Sequence, residues 1–152
     1  MRLSSDTFKT VVQNTPLISI DLVVKNIEGE ILIGRRINKP AKDYWFVPGG
    51  RIFKNETLQD AFQRILVEEL GNEVNLSLKN ARFLGVFEHF YSDSVFGNIF
   101  STHYLVLSYE LNVEVDIDQL PLIQHEAFRW VNTNTLINDQ KVHPYTKAYF
   151  YN

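Results

Sequence analysis

GGRIFKNETLQDAFQRILVEELGNEV, residues 49–74, is the stretch on which the reading of the whole chain turns. Asn55 is placed to cap a helix over about 56–70, and Gly71 to stop it. At ~100° per residue, Leu58, Ala61, Phe62, Ile65 and Leu66 form one apolar stripe. Relative to Leu58, Ile65 falls at about −20° and Glu69 at about +20°, so Glu69 projects from the middle of the face that should be buried. Glu68 falls at about −80° on the flank, one turn from Arg64. Two adjacent carboxylates thus sit in a last turn whose dipole favours cations. An inward carboxylate with no partner on its own helix is costly, and must be neutralised or ligated. Either the last turn frays and Glu69 reaches water, or a cation from outside the chain meets it. The GGR at 49–51 offers bare backbone carbonyls and an arginine on the approach.

Outward from this helix, the chain alternates strands and short helices. Residues 5–14 read as a helix with Ser5 as cap and Pro16 beyond its end. LISIDLVVK (17–25) is β-branched and reads as a strand, joined by a Glu28-Gly29 turn to EILIGRR (30–36). INKPAKD is a loop, and the apolar piece YWFVP leads to Gly49-Gly50, a sharp turn or a close backbone approach. ARFLGVFEHFY (81–91) and THYLVLSYEL (102–111) read as paired long strands, and EAFRWVN (126–132) as another. TNTLIN and HPYTKAYFY read as short helices. This order gives a mixed sheet covered by helices.

Composition bounds the function. A length of 152 residues suits one domain, 1–152, with a real core. A net charge of −3 leaves no basic footprint for nucleic acid. Without cysteine there is neither a disulfide nor a thiolate metal site, a usage that suits the cytoplasm. The N-terminus is too polar for a signal peptide, and no apolar run approaches the ~20 residues of a membrane span. The loop SDSVFGNIFS (92–101) carries Val95, Phe96, Ile99 and Phe100, an apolar patch of the kind that meets a partner or a ligand.

Gly50, Glu56, Arg64, Leu66, Glu68, Glu69 and Gly71 resemble the Nudix hydrolase signature: Gly, five residues, Glu, seven residues, then Arg-Glu-aliphatic-any-Glu-Glu-any-Gly. The resemblance implies an α/β Nudix fold, with a mixed β-sheet sandwiched between helices. It also implies a loop–helix–loop that holds Mg²⁺, with Mn²⁺ as a substitute, against a diphosphate. Hard divalent cations take carboxylate and carbonyl oxygens. Glu69, Glu68 and the carbonyl of Gly49 or Gly50 are therefore the expected ligands. One position departs from the pattern: Ile65 stands where the signature has the glutamate after arginine. Attack of water on phosphorus, run from this helix, loses a group there.

The segments FxxVVxxTPLISIDL, GRRxNxPAxxYWFVPGGR, EHFY, FSTHYLVL and QHEAFRW resemble the GDP-mannose mannosyl hydrolases, a subfamily that lacks the same glutamate. The likeness runs from Phe8 to Phe150. It implies Mg²⁺-dependent hydrolysis of a nucleotide sugar at the anomeric carbon, with inversion, giving GDP and mannose. It also implies a homodimer. The resemblance places Gln124 and His125 at the site: the Gln124 amide oxygen as a further Mg²⁺ ligand, and His125 as the base for water. Neutral imidazole near its reference pKa of ~6.5 suits that task. Arg36, Arg51 and Arg64 are the cations expected on the diphosphate, since arginine forks match phosphate oxygens. Arg64 has an alternative role as partner of Glu56 or Glu68. Asp21, awkward in mid-strand, is expected on sugar hydroxyls, and His89 and Tyr104 on sugar or phosphate. With Arg36 and His125 these three complete the expected catalytic set, and Phe8 joins the substrate contacts. The competing functions are a Nudix pyrophosphatase that cleaves P–O and a non-catalytic nucleotide-binding module.

Overall fold

The computed structural model describes residues 2–151. Seven strands form one mixed sheet: β1 (Leu17–Lys25), β2 (Ile31–Arg36), β3 (Trp45–Phe46), β4 (Gly49–Arg51), β5 (Arg82–Tyr91), β6 (Thr102–Asn112) and β7 (His125–Val131). The order is β3-β2-β1-β6-β5, with β4 paired to β1 and β7 to β2. Only β1 and β6 run parallel; the other pairs are antiparallel. The helices are α1 (Ser5–Asn14), α2 (Leu58–Leu70), α3 (Thr133–Asn138) and α4 (Pro144–Lys147).

Alternation along β1 builds both layers. Ile20, Leu22 and Val24 face the core that α2 closes with Ala61, Phe62, Ile65, Leu66 and Leu70. Val23 faces the opposite layer, with Ile31, Ile33, Leu136 and Val142. Successive strand side chains point to opposite faces, so Leu17, Ser19 and Asp21 share the side of Val23. There they floor a cleft instead of a core. β5 and β6 pair as expected from Arg82–Glu110 to Tyr91–Thr102, with a bulge between Phe83 and Gly85.

Helix α2 carries the expected stripe but not the expected start. Thr57, not Asn55, is the cap, its hydroxyl accepting from the Asp60 N–H at 3.1 Å. Asn55 instead turns the loop in the left-handed region at φ 71°, a conformation that asparagine tolerates better than most residues. Leu58, placed on the stripe, lies in the first turn and is 44% exposed. Gly71 ends the helix at φ 89° as expected. Ser4 rather than Ser5 caps α1, accepting from the Thr7 N–H. Gly49-Gly50 is a close approach and not a turn: both residues lie in β4, against Asp21 and Ile20 of β1. His125 opens β7 rather than preceding it.

Candidate active site

A cleft of about 370 Å³ opens over the β1–β6 floor, between the end of α2 and the loops after β2 and β5. All thirteen residues singled out from the sequence line it: Phe8, Asp21, Arg36, Gly49, Gly50, Arg51, Arg64, Glu68, Glu69, His89, Tyr104, Gln124 and His125. Register explains how they converge. His89 faces Tyr104 across β5–β6, and Tyr104 faces Leu17 across β6–β1. Asp21 faces Gly49 across β1–β4. A bulge between Gly34 and Arg36 sets Arg36 opposite His125 across β2–β7.

Glu69 is 5% exposed, as its place on the helix wheel requires, so the last turn does not fray into water. The Gly49 N–H donates to its carboxylate. Burial, joined by the charge of Glu68, pushes its pKa up to about 8. A carboxylate in that state invites a cation. The described residues offer no group of three or more His, Asp or Glu side chains arranged to hold a metal. Two adjacent carboxylates beside backbone and amide oxygens still fit Mg²⁺, which uses one or two carboxylates and takes its other ligands from water and substrate phosphates. Gln124, exposed at the rim, is the amide among these oxygens.

His125 is 2% exposed, and neither ring nitrogen has a hydrogen-bond partner among the described residues. Its ring lies on Gly34, where a Cβ would come within 2.7 Å of Cγ. Nδ1 is 4.0 Å from Oε2 of Glu69. Burial, helped by the charge of Arg36, holds the imidazole down at about pKa 4. This corrects the expectation of a group near its reference value: the sequence could not reveal how completely the ring is enclosed.

The three arginines differ. Arg36 donates through Nε to the Pro40 carbonyl at 3.0 Å and makes no ion pair among the described residues. It lies close enough to Asp21, Glu69, Tyr91 and Tyr104 to act on each through its charge. Arg51 lies over Phe8 and Phe53, at 4.6 and 5.1 Å from their centroids, and likewise has no ion pair among the described residues. Arg64 is held by protein. It forks onto both oxygens of Glu56 at 2.8 Å, reaches Glu68 at 3.2 Å and the Arg51 carbonyl at 2.7 Å, and stacks on Phe53. Four of its five donors are taken by protein, so in this structure Arg64 clamps β4 to α2, whereas Arg36 and Arg51 make no ion pair among the described residues.

Tyr104 lies between the charges of Arg36 and Arg51. Burial raises its pKa, so its hydroxyl keeps its proton and offers a donor. Burial likewise pushes Asp21 up to about 7, against the opposing effects of Tyr149 and Arg36. The Tyr149 hydroxyl donates to Asp21 Oδ2 at 2.5 Å and lies 3.4 Å from His89 Nε2. His89 stacks flat on Tyr145, centroids 4.3 Å apart, and burial lowers its pKa to about 4. Tyr149, Tyr91, Lys39 and Arg2 were missed in the sequence. HPYTKAYFY displays its aromatics openly, but only the tertiary fold shows that the C-terminal turn reaches Asp21. His143, which had no assignment, caps α4 by accepting from the Tyr145 N–H at 3.1 Å.

Comparison with known proteins gives concordant relatives. A family profile described as NUDIX domain matches residues 15–151. The low-salt glycan biosynthesis protein Agl8 of Haloferax volcanii is 42% identical over 149 residues, covering 97% of this chain and 88% of that protein. The RNA pyrophosphohydrolase of Bartonella henselae is 28% identical, covering 85% of each. Among solved structures, the MutT protein of Methanosarcina mazei superposes with a TM-score of 0.70 at 20% identity, over 90% of this chain and 92% of that one.

Proposed function

This chain belongs to the NUDIX domain family, and from that membership we propose that it hydrolyses GDP-mannose to GDP and mannose by attack of water at the anomeric carbon. The observation that carries the reading is Ile65. It is fully buried on the stripe of α2, at the position where the hydrolase signature has a glutamate. The helix has kept Glu69 and lost the group beside it that would serve chemistry at phosphorus. The relative named for glycan biosynthesis favours a sugar-bearing substrate.

The cleft divides into a diphosphate side and a sugar side. Arg36 and Arg51 are the unpaired cations for the phosphate oxygens, in the geometry that guanidinium matches best. Glu69, Glu68, the Gly49 or Gly50 carbonyl and Gln124 would hold the divalent cation general to NUDIX hydrolases, Mg²⁺ or its substitute Mn²⁺. That ion, when bound, neutralises the departing diphosphate. Asp21 is the hydroxyl partner on the sugar side, His89 and Tyr104 meet sugar or phosphate, and Phe8 covers Arg51 at the rim.

His125 is neutral above about pH 4 and has both nitrogens unclaimed. In this reading it is the base that accepts a proton from the attacking water at neutral pH. Water oxygen bonds to C1 from the face opposite GDP, so the anomeric configuration inverts. The C1–O bond breaks and its electron pair leaves with the diphosphate. A nucleoside diphosphate whose charge is neutralised needs no general acid.

Hydrolysis in ¹⁸O-water with product identification tests the reading: label belongs in mannose. Label in GMP or mannose 1-phosphate assigns a pyrophosphatase instead, and binding without turnover assigns a nucleotide-binding module. No helix of the described residues is long and apolar enough to cross a membrane. We read the chain as one domain working in the cytoplasm as a homodimer. The dimer is supported by the loop at 92–101, where Ile99 is 87% exposed.

A further inference from the structure

We propose that Tyr149 is a positioning residue of this cleft, acting on substrate through Asp21 and His89. It lies in the 3₁₀ turn Ala148–Phe150 that follows α4, 128 residues from Asp21 in sequence. The turn aims the phenol at the floor of the cleft, with the ring edge-on to Phe87 at 4.7 Å. The hydroxyl has one proton and gives it to Asp21 Oδ2 at 2.5 Å. The contact to His89 Nε2 at 3.4 Å must then run the other way, with the imidazole donating. That direction corresponds to the Nε2–H tautomer of His89, and with Asp21 ionised it orders one chain of donors, His89 to Tyr149 to Asp21.

The chain restrains the carboxylate on both sides. Oδ2 is held by Tyr149. Oδ1 lies over Gly49, where a Cβ would sit 2.4 Å away, so no other residue fits beneath it. Asp21 thus has one rotamer and presents a fixed edge to the cleft. Without the phenol hydroxyl it would turn between its neighbours, and His89 would lose its tautomer preference. A hydroxyl-bearing ligand would then meet a site that must first be ordered, at a cost in binding. Of the two diphosphate cations, Arg36 acts on Asp21 only through its charge, and Arg51 is held by Phe8 and Phe53; neither is hydrogen-bonded to Tyr149.

The proposal rests on the reading that Asp21 takes sugar hydroxyls, so its test is run on whichever nucleotide-sugar hydrolysis the enzyme performs, with the bond cleaved read separately by ¹⁸O. Tyr149→Phe keeps the ring and its contact with Phe87 and removes only the hydroxyl. Expected is a rise of about tenfold in KM for the nucleotide sugar, the scale of one hydrogen bond to a charged group, with GDP affinity by calorimetry unchanged. Asp21→Asn and the double variant complete a cycle, and the double variant should be no worse than Asp21→Asn. The ¹⁵N spectrum of His89 should show the Nε2–H tautomer in the wild type and a mixture in Tyr149→Phe. Additive losses, or a parallel fall in GDP affinity, would overturn the proposal, because the hydroxyl would then act through the fold at large. Label found in phosphate with a non-additive cycle leaves the positioning role standing and removes the sugar-carbon reading alone.

Discussion

Nδ1 of His125 lies 4.0 Å from Oε2 of Glu69, and both side chains are almost closed to solvent. Burial acts on them in opposite senses, pushing the carboxylate up to about 8 and the imidazole down to about 4. At pH 7 without a cation the pair is therefore neutral twice over, a protonated acid beside an unprotonated base. It is not a salt bridge. A divalent cation held by Glu69 would favour the ionised carboxylate.

Glu69→Gln tests the first half. The folded-state pKa lies above the ordinary 4.5, so the folded protein keeps a proton that the unfolded chain releases. Stability without metal is then full below about pH 4.5 and falls as pH rises toward 8. The glutamine variant has no such loss. Melting without metal at pH 5 and pH 8 should find the variant more stable than the wild type at pH 8 only, by about 1–3 kcal/mol. Millimolar Mg²⁺ should raise the melting temperature of the wild type and leave the variant where it was. A variant that responds to Mg²⁺ like the wild type removes Glu69 from the metal site.

His125→Gln tests the second half. Loss of a general base lowers kcat by about 10²-fold or more, with KM nearly unchanged. The histidine's pKa is depressed, so its neutral form persists down to about pH 4. At saturating Mg²⁺ the acid limb of the wild-type kcat profile should therefore lie near 4, well below the usual histidine range, and should vanish in the variant. A limb unchanged by the substitution assigns the proton to another group.

The diglycine separates a backbone clash from a yielding one. A Cβ on Gly49 would meet Asp21 Oδ1 at 2.4 Å and the Ile20 carbonyl oxygen at 2.6 Å, and the carbonyl belongs to the central strand. A Cβ on Gly50 would meet Ile65 Cγ1 at 3.0 Å, a longer approach and to a side chain rather than to backbone. Gly49→Ala should cost about 1–3 kcal/mol, on the scale of overpacking, and most of the activity. Gly50→Ala should cost about 1 kcal/mol or less. Equal losses in thermal unfolding would contradict this asymmetry.

The inward turn of Glu69 was legible because a helix wheel depends only on spacing, and the run from Leu58 to Glu69 is regular. The pairing of β5 with β6 was legible for the same reason, from alternation over two long apolar segments. Local competition moved the helix start: Thr57 and Asn55 are both good caps, and only the left-handed backbone at Asn55 decides between them. The state of His125 was hidden, because Gly34, which closes over the ring, and Arg36, whose charge lowers its pKa further, both come from β2, a distant stretch of chain. Tyr149 was hidden for a related reason. Its significance is a contact with Asp21 at the far end of the sequence, and no periodicity encodes it.

Arg64 and Glu56 carry the last prediction, which concerns what holds the loop to the helix. The guanidinium takes both oxygens of Glu56 at 2.8 Å, and the Phe53 N–H donates to the same carboxylate at 2.7 Å. The Arg64 bond, foremost, holds the Glu56 pKa at about 2, below its ordinary 4.5. A depressed acid contributes stability that is fully present above about 4.5 and is lost as pH falls toward 2. Glu56 has 16% of its side chain exposed, so solvent screening trims the contribution to about 1–2 kcal/mol. Glu56→Gln should therefore melt below the wild type at pH 7, with the gap closing between pH 4.5 and 2. Mg²⁺-induced stabilisation should survive in the variant, because Glu56 anchors the loop and is not among the proposed ligands of the ion. A gap that is constant down to pH 2 would mean that shape, and not the charge of this pair, carries the anchoring.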